Sequence, residues 1–243
     1  MPTIAATAPA WASVSLLRGF ALHVETEPVA LSQNGQRLIA YLALRQRPER
    51  RSTVAAALWT DTTGDRAAAN LRTALWKLAP LRDRLVRTVG TSMTLAPDVD
   101  VDVSRLVRDA RGLIDPSSEL ALDTTDSVAE LCADLLPDWD EDWLLFERER
   151  LRQFRVHALE ALCRRLVAAR RFAEAVDAGL SAVVAEPLRE SGQRVLIEAH
   201  VAEGNLSEAR RQFESYRSLL WDEMGLLPTM ELWSLVGAQR PDR

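Results

Sequence analysis

Apolar residues alternate in short runs at the start of the chain and then fall at helical spacing, with one later return to alternation. From Val14, the runs VSLLRGFALHV and PVAL, broken by Gly19 and by Glu25 to Pro28, predict two or three short antiparallel strands. A helix is expected from about Asn34 to Gln46, with Leu38, Tyr41, Leu42 and Arg45 on its inward stripe and Pro48 beyond its end. Ser52 reads as the N-cap of a second, short helix that ends near Trp59. Thr62 to Asp65 then turns the chain into a third helix, capped by Asp65, in which Leu71, Leu75 and Leu78 share one face. Ala79-Pro80 ends that helix early. The alternation returns in RLVRTV and MTLA, which predict a hairpin turning at Gly90-Thr91-Ser92.

Val99 to Val107, VDVDVSRLV, starts with alternating acids and valines and leads to a helix, and residues 112 to 127 read as a loop or loosely packed segment. Past Pro137 the pattern is helical almost to the end, with helices expected at Asp140–Arg170, Phe172–Ala185, Pro187–Glu203 and Leu206–Met224. Pro187 suits a first helical position, and Gly204-Asn205 suits a C-cap followed at once by an N-cap, with Glu208 three residues on. Phe172-Ala173-Glu174-Ala175 is echoed 34 residues later by Leu206-Ser207-Glu208-Ala209, as Ala158 is by Gly192 and Leu162 by Leu196. That interval is the tetratricopeptide period, in which small residues let paired helices approach. The divisions expected are a disordered start at 1–12, a mixed head at 13–98 and an all-α body at 99–243.

Charge sharpens this division. The net charge of -5 hides 12 Lys+Arg against 6 Asp+Glu in residues 1–97, which leaves 18 against 29 in the rest. A basic head on an acidic body suits nucleic acid at one end and protein at the other. Two distant cysteines, Cys132 and Cys163, argue against a disulfide framework and for a reducing cytoplasm. No apolar run approaches the roughly 20 residues that cross a bilayer, so no membrane association is expected.

Strands, three helices and a hairpin bearing arginines are the element order of a winged helix-turn-helix, and the third helix is its recognition helix. Away from its leucines that helix carries Arg66, Ala69, Thr73 and Trp76, with Asn70 and Lys77 at the edge. Arg66, Asn70, Thr73 and Lys77 are hydrogen-bonding types suited to base edges in a major groove. Trp76 would touch a sugar or a thymine methyl, or pack on a neighbouring element, and Arg72 on the flank suits a phosphate. Arg50, Arg51 and Ser52 cluster at the start of the second helix, where the dipole favours an anion. Arg84, Arg87 and Thr91 on the hairpin would reach an adjacent groove or phosphate.

Enzymatic chemistry finds no purchase, and no cofactor is expected. Lys77 is the sole lysine and no phosphate-loop glycines precede it, while His23, His157 and His200 lack the spacing of metal ligands or of a nucleophile's base. The acidic run Asp138 to Glu141 is broken by Trp139 and has no calcium-loop spacing.

The segments LLRGFALHV, Leu58-Trp59, NLRTALWKL and LVRTVG resemble the OmpR-type winged helix of SARP-type antibiotic regulatory activators. Leu136-Pro137-Asp138-Trp139, Glu141-Asp142-Trp143, FERERLRQF, RRFAEAV, EPLRE and EGNLSEARRQFESYRSLLWDEMGLLP resemble the bacterial transcriptional activation domain that follows it in that family. The resemblance implies a fold that is mainly α with a small β component, a winged helix followed by a TPR-like body, with Val99 to Val107 as the hinge between them. It further implies a sequence-specific activator that binds double-stranded promoter DNA at direct repeats as a homodimer and contacts RNA polymerase subunits. Two departures, Ala79-Pro80 where members continue with arginines and Gly90-Thr91-Ser92-Met93 where a Gly-Tyr pair is common, keep a second reading open. On that reading the chain is a protein-interaction module whose winged helix has weak or lost DNA affinity.

Overall fold

In the computed structural model, which describes residues 10–79, 81–118 and 124–237, three antiparallel strands precede any helix. They are β1 (Ala12–Ser15), β2 (Ala21–Val24) and β3 (Glu27–Pro28), with Ala12 opposite Val24 and Ser15 opposite Ala21. Most of the expected disordered stretch, residues 1–9, lies outside the described residues. β7 (Val99–Val101) joins the sheet parallel to β1, giving the order β3-β2-β1-β7. The expected hinge is thus a strand at its start. Its alternating valines are buried beside Ala12 and Val14, but no local pattern announces a partner so far back in the chain. Asp102 fixes the junction, its carboxylate accepting the Leu16 and Leu17 amides at 2.8 and 2.9 Å just where the parallel ladder stops.

Three helices follow: α1 (Gln33–Arg45), α2 (Arg51–Leu58) and α3 (Gly64–Lys77). Ser32 caps α1 by accepting the Gly35 amide, and Leu38, Tyr41 and Leu42 are buried along its inner face. α2 starts one residue ahead of the expected cap, because the Arg51 amide donates to the Thr91 carbonyl at 2.9 Å and needs no help from Ser52. α3 likewise begins earlier, with Thr63 at its N-cap and Asp65 in the first turn, where a carboxylate faces the positive end of the helix dipole. The helix stops at Lys77, and a single turn, α4 (Arg82–Leu85), leads to the hairpin β5 (Val86–Val89) and β6 (Ser92–Leu95). β4 (Glu49–Arg50) pairs with β6 to give a second sheet of order β4-β6-β5.

The chain divides into two compact units, residues 1–106 with 134–148, and 107–133 with 149–243. In the first, residues 134–148 lie on the winged helix itself. Leu135 bridges to Leu17, Trp139 stacks on Phe20 at 5.9 Å, and Trp143 meets the Tyr41 ring edge-on at 5.3 Å. Leu136 adopts φ +44°, a strained conformation for a branched residue, and is held there by its amide bond to Leu16 O and by the Arg148 guanidinium on its carbonyl.

The remaining helices are α5 (Asp102–Ile114), α6 (Thr124–Leu131), α7 (Asp142–Ala168), α8 (Phe172–Ala185), α9 (Glu190–Glu203), α10 (Leu206–Met224) and α11 (Met230–Leu235). The expected loop at 112–127 is shorter than its composition suggests, since α5 carries through Gly112 to Ile114 and α6 takes up residues from Thr124. Pro187 does not open α9. It sits in a turn closed by the Arg189 amide on Glu186 O, and the helix begins at Glu190. Gly204 caps α9 at φ +91°, and Asn205 occupies the N-cap of α10 without a side-chain bond to its amides, spending its carbonyl on Ser207 Oγ instead. α8 and α10 start 34 residues apart as the repeat requires, and each buries its equivalent alanine, Ala175 and Ala209, completely. Phe213, Tyr216, Leu220, Leu232 and Trp233 form a core that includes α11, a helix too short to show in the periodicity. Among the described residues no helix is long and apolar enough to cross a membrane.

Candidate nucleic-acid interface

Leu71, Leu75 and Leu78 are buried together with Ala67 and Ala74, so α3 turns one whole face onto α1 and α2. Gly35 on α1 makes room for this, since a Cβ there would lie 3.4 Å from Leu78 Cδ2. Burying three leucines contributes roughly 5–9 kcal/mol of transfer free energy before the chain entropy is offset, enough to fix the helix's rotation about its own axis. What remains outward follows from that rotation. Arg66, Arg72, Thr73, Trp76 and Lys77 are exposed, while Asn70 is half-buried at the edge. Trp76 is 73% exposed, so it packs on no neighbouring element. Thr73 is locally engaged, its hydroxyl donating to Ala69 O at 3.1 Å, which leaves its methyl and its lone pairs facing outward.

A second group assembles at the hairpin. Gly90, at φ +58°, supplies the positive dihedral that a two-residue hairpin turn requires at its first position, with Thr91 beside it at the tip. Arg50 pairs across β4 and β6 with Ser92, and Arg87 pairs across β5 and β6 with Thr94. Met93 and Leu95 are buried on the opposite pleats, so Arg50 and Arg87 stand on the same outward face of this sheet, one on each side of β6. The bond from the Arg51 amide to Thr91 O ties the start of α2, with Arg51 and the exposed Ser52, to the tip of the wing. Thr91 thereby becomes a neighbour of the consecutive Arg50, Arg51 and Ser52, which lie far earlier in the sequence.

Arg84 stands apart from them. It lies on α4 ahead of the hairpin, with its guanidinium 3.9 Å above the Trp11 ring, an arrangement that holds it by cation–π attraction. Next to it, Arg82 donates to Asp83, and that bond together with the adjacent positive charge holds the Asp83 carboxyl below its ordinary range. Among the described residues Arg50, Arg51, Arg66, Arg72, Lys77 and Arg87 form no ion pair. Their charges are therefore left unpaired by any carboxylate among the described residues. No cluster of three or more His, Cys, Asp or Glu suited to a metal occurs among the described residues.

Arg37 is a functional residue that nothing in its local sequence singles out. This α1 residue donates from Nη2 to the Leu58 carbonyl at the end of α2, lies 5.9 Å from the Trp59 ring, and reaches Glu141 at 2.8 Å. It sits on the half-buried flank of an otherwise ordinary helix, and its partner carboxylate is 104 residues away. Only the helical spacing of Arg37 and Asn34 was available locally, and that spacing suggests nothing beyond a weak surface bond.

Comparison with known proteins bears on the fold and the family. Among solved structures the chain is similar to Mycobacterium tuberculosis EmbR in complex with a low-affinity phosphopeptide, at 20% identity and a TM-score of 0.75 over 93% of this chain. The match spans 64% of the length of that protein, and at this identity it establishes the fold. Comparison with curated protein sequences yields no match. The family model described as the bacterial transcriptional activator domain matches residues 99–238. With more than half of its length in that match, and in keeping with the SARP-type resemblance of its sequence, the chain belongs to the bacterial transcriptional activator domain family.

Proposed function

We propose that this chain is a SARP-type transcriptional regulator that activates promoters by binding double-stranded DNA through α3 and the β5–β6 wing. The single observation that carries the reading is the rotation of α3. Three leucines lock one face, and Arg66, Thr73, Trp76 and Lys77 emerge together on the other, with no ion pair to a carboxylate among the described residues. In a major groove Arg66 and Lys77 would address guanine, Asn70 adenine, and the exposed indole and Thr73 methyl a thymine methyl. Arg50, Arg51, Ser52, Arg72, Arg87 and Thr91 would hold phosphates on either side, with Arg84 contributing from α4. Direct repeats would seat two copies side by side. In the all-α unit, Trp221, Met224, Leu226 and Met230 are each more than half exposed within one ten-residue stretch, which supports a protein-facing role such as contact with RNA polymerase. A DNA-binding regulator of this kind would work in the cytoplasm.

Fluorescence anisotropy with the chain's own upstream DNA, titrated at low and moderate salt, tests the reading. A specific complex is expected whose affinity falls with a logarithmic salt slope of about −5, as neutralising about six phosphates requires. Replacing Thr73 and Lys77 by alanine together should abolish specificity while the fold is retained. Absence of any complex at micromolar protein, with native circular dichroism, would instead favour the protein-interaction reading.

A further inference from the structure

The geometry points to Glu141 as a positioning residue for the recognition helix, acting through Arg37 on the turn between α2 and α3. This rests on the reading of α3 as the DNA-contacting element. The last carbonyls of a helix have no partner within it, and a cation placed on them gains both the hydrogen bonds and the favourable end of the dipole. α2 is such a helix. It ends at Leu58, and Trp59 at its C-cap has left helical geometry. The Leu58 carbonyl is taken by Arg37 Nη2 at 2.5 Å, and the same guanidinium lies 5.9 Å from the centre of the Trp59 ring. The five residues that follow, Trp59 to Thr63, are the only covalent link that sets the angle between α2 and α3. Within the turn, the Thr62 amide and hydroxyl both donate to Trp59 O.

Arg37 cannot hold this turn unless its own orientation is set. Its side chain is 19% exposed and that of Glu141 is 16%, so the pair sits where solvent screens it only partly. One carboxylate oxygen of Glu141 accepts from Arg37 Nη2 at 2.8 Å and from the Trp143 indole N–H at 2.9 Å, and Trp143 is in turn fixed edge-on against Tyr41 of α1. The chain of contacts is therefore continuous: Tyr41 places Trp143, Trp143 and Glu141 place Arg37, and Arg37 closes the end of α2. Every member lies in one compact unit. Glu141 falls inside the residues matched by the family model, 99–238, although it packs on the winged helix. A segment of the activator domain thus sets the geometry of the helix-turn-helix without approaching the outward face of α3.

Hydrogen–deuterium exchange on the full chain tests this directly. Glu141→Gln keeps the shape and removes the charge, Arg37→Lys keeps the charge and removes the second donor edge, and Glu147→Gln removes a neighbouring carboxylate on the same segment, the partner of Arg45, without touching Arg37. Amide exchange across Trp59–Asp65 should rise about tenfold in the first two variants and stay near wild type in the third, with the unit's core amides unchanged in all three. Affinity for a promoter fragment that the wild-type chain retains from sheared genomic DNA should fall about tenfold in the same two variants. If turn exchange rises and the wild-type chain retains no fragment, the positioning role stands and the DNA reading fails. If turn exchange in Glu141→Gln matches wild type, or rises equally in Glu147→Gln, the positioning role is overturned.

Discussion

The two cysteines differ in setting, Cys163 within α7 and Cys132 just past the end of α6. Cys163 on α7 is fully buried, donates weakly to the Val195 carbonyl at 3.4 Å, and has its thiol pushed up to about 12 chiefly by burial. Cys132 is exposed. Reactivity follows the thiolate, so iodoacetamide at neutral pH should modify Cys132 in the folded chain and reach Cys163 only after denaturation, which intact-mass measurement would show as one adduct and then two. The Tyr216 hydroxyl is also pushed up to about 12, by burial first and by the neighbouring Glu190 second. In both cases the folded chain keeps a proton that the unfolded chain gives up sooner. Their stabilising effect is thus fully present below pH 9 and is lost as pH rises through 9 to 12. A thermal unfolding midpoint that stayed flat across that window would contradict this assignment of buried protons. Gly90 makes a third case: Gly90→Ala at φ +58° should cost about 1 kcal/mol and loosen the wing.

Elements differed in how far they could be read. α8 and α10 were legible to the residue, because each carries buried residues at helical spacing along its whole length and α10 stops at Gly225 in the left-handed region. The register of Leu71, Leu75 and Leu78 gave the inward face of α3 for the same reason. Starts of helices were less legible where a distant group supplied the cap, as Thr91 does for α2, since side-chain capping rules see only neighbouring residues. β7 and the 134–148 segment were hidden for a related reason: their partners, β1 and α1, lie far off in sequence. Of the interface, residue types and the face of α3 were readable, but the gathering of Arg50, Arg51 and Thr91 depends on a strand pairing. Helix approach gives a paired expectation. A Cβ at Gly192 would meet Ala182 at an ordinary 3.8 Å, so Gly192→Ala should stabilise by up to about 1 kcal/mol through helix propensity. At Gly179 it would meet the Leu196 backbone at 3.2 Å, and Gly179→Ala should instead lower the urea midpoint, the crowding outweighing the propensity gain.

For the molecule as a whole, the compact units cut across the order of the chain. Leu136 and Leu144 are fully buried within the unit that carries the winged helix, and Glu147, 5% exposed, pairs there with Arg45. A fragment ending before Asp134 should therefore unfold at lower temperature than the intact chain and bind hydrophobic dyes, because Tyr41 of α1 would lose its Trp143 partner and the unit would lose its buried Leu136 and Leu144. Joining residues 134–148 back through a flexible linker should recover most of the difference, and failure to do so would mean that this segment is not part of the unit's core. The contrast between a basic first part and an acidic remainder also belongs to this scale, since it concerns fields and not folding.

The single lysine at the end of α3 has a practical consequence. Apart from the chain's amino terminus, Lys77 offers the sole primary amine, and it is exposed. Succinimide esters, reductive methylation or an amine-directed photocrosslinker will thus tag one defined spot on the helix proposed to read bases. Shielding of that amine by an added duplex could then be followed by peptide mapping without any engineered handle.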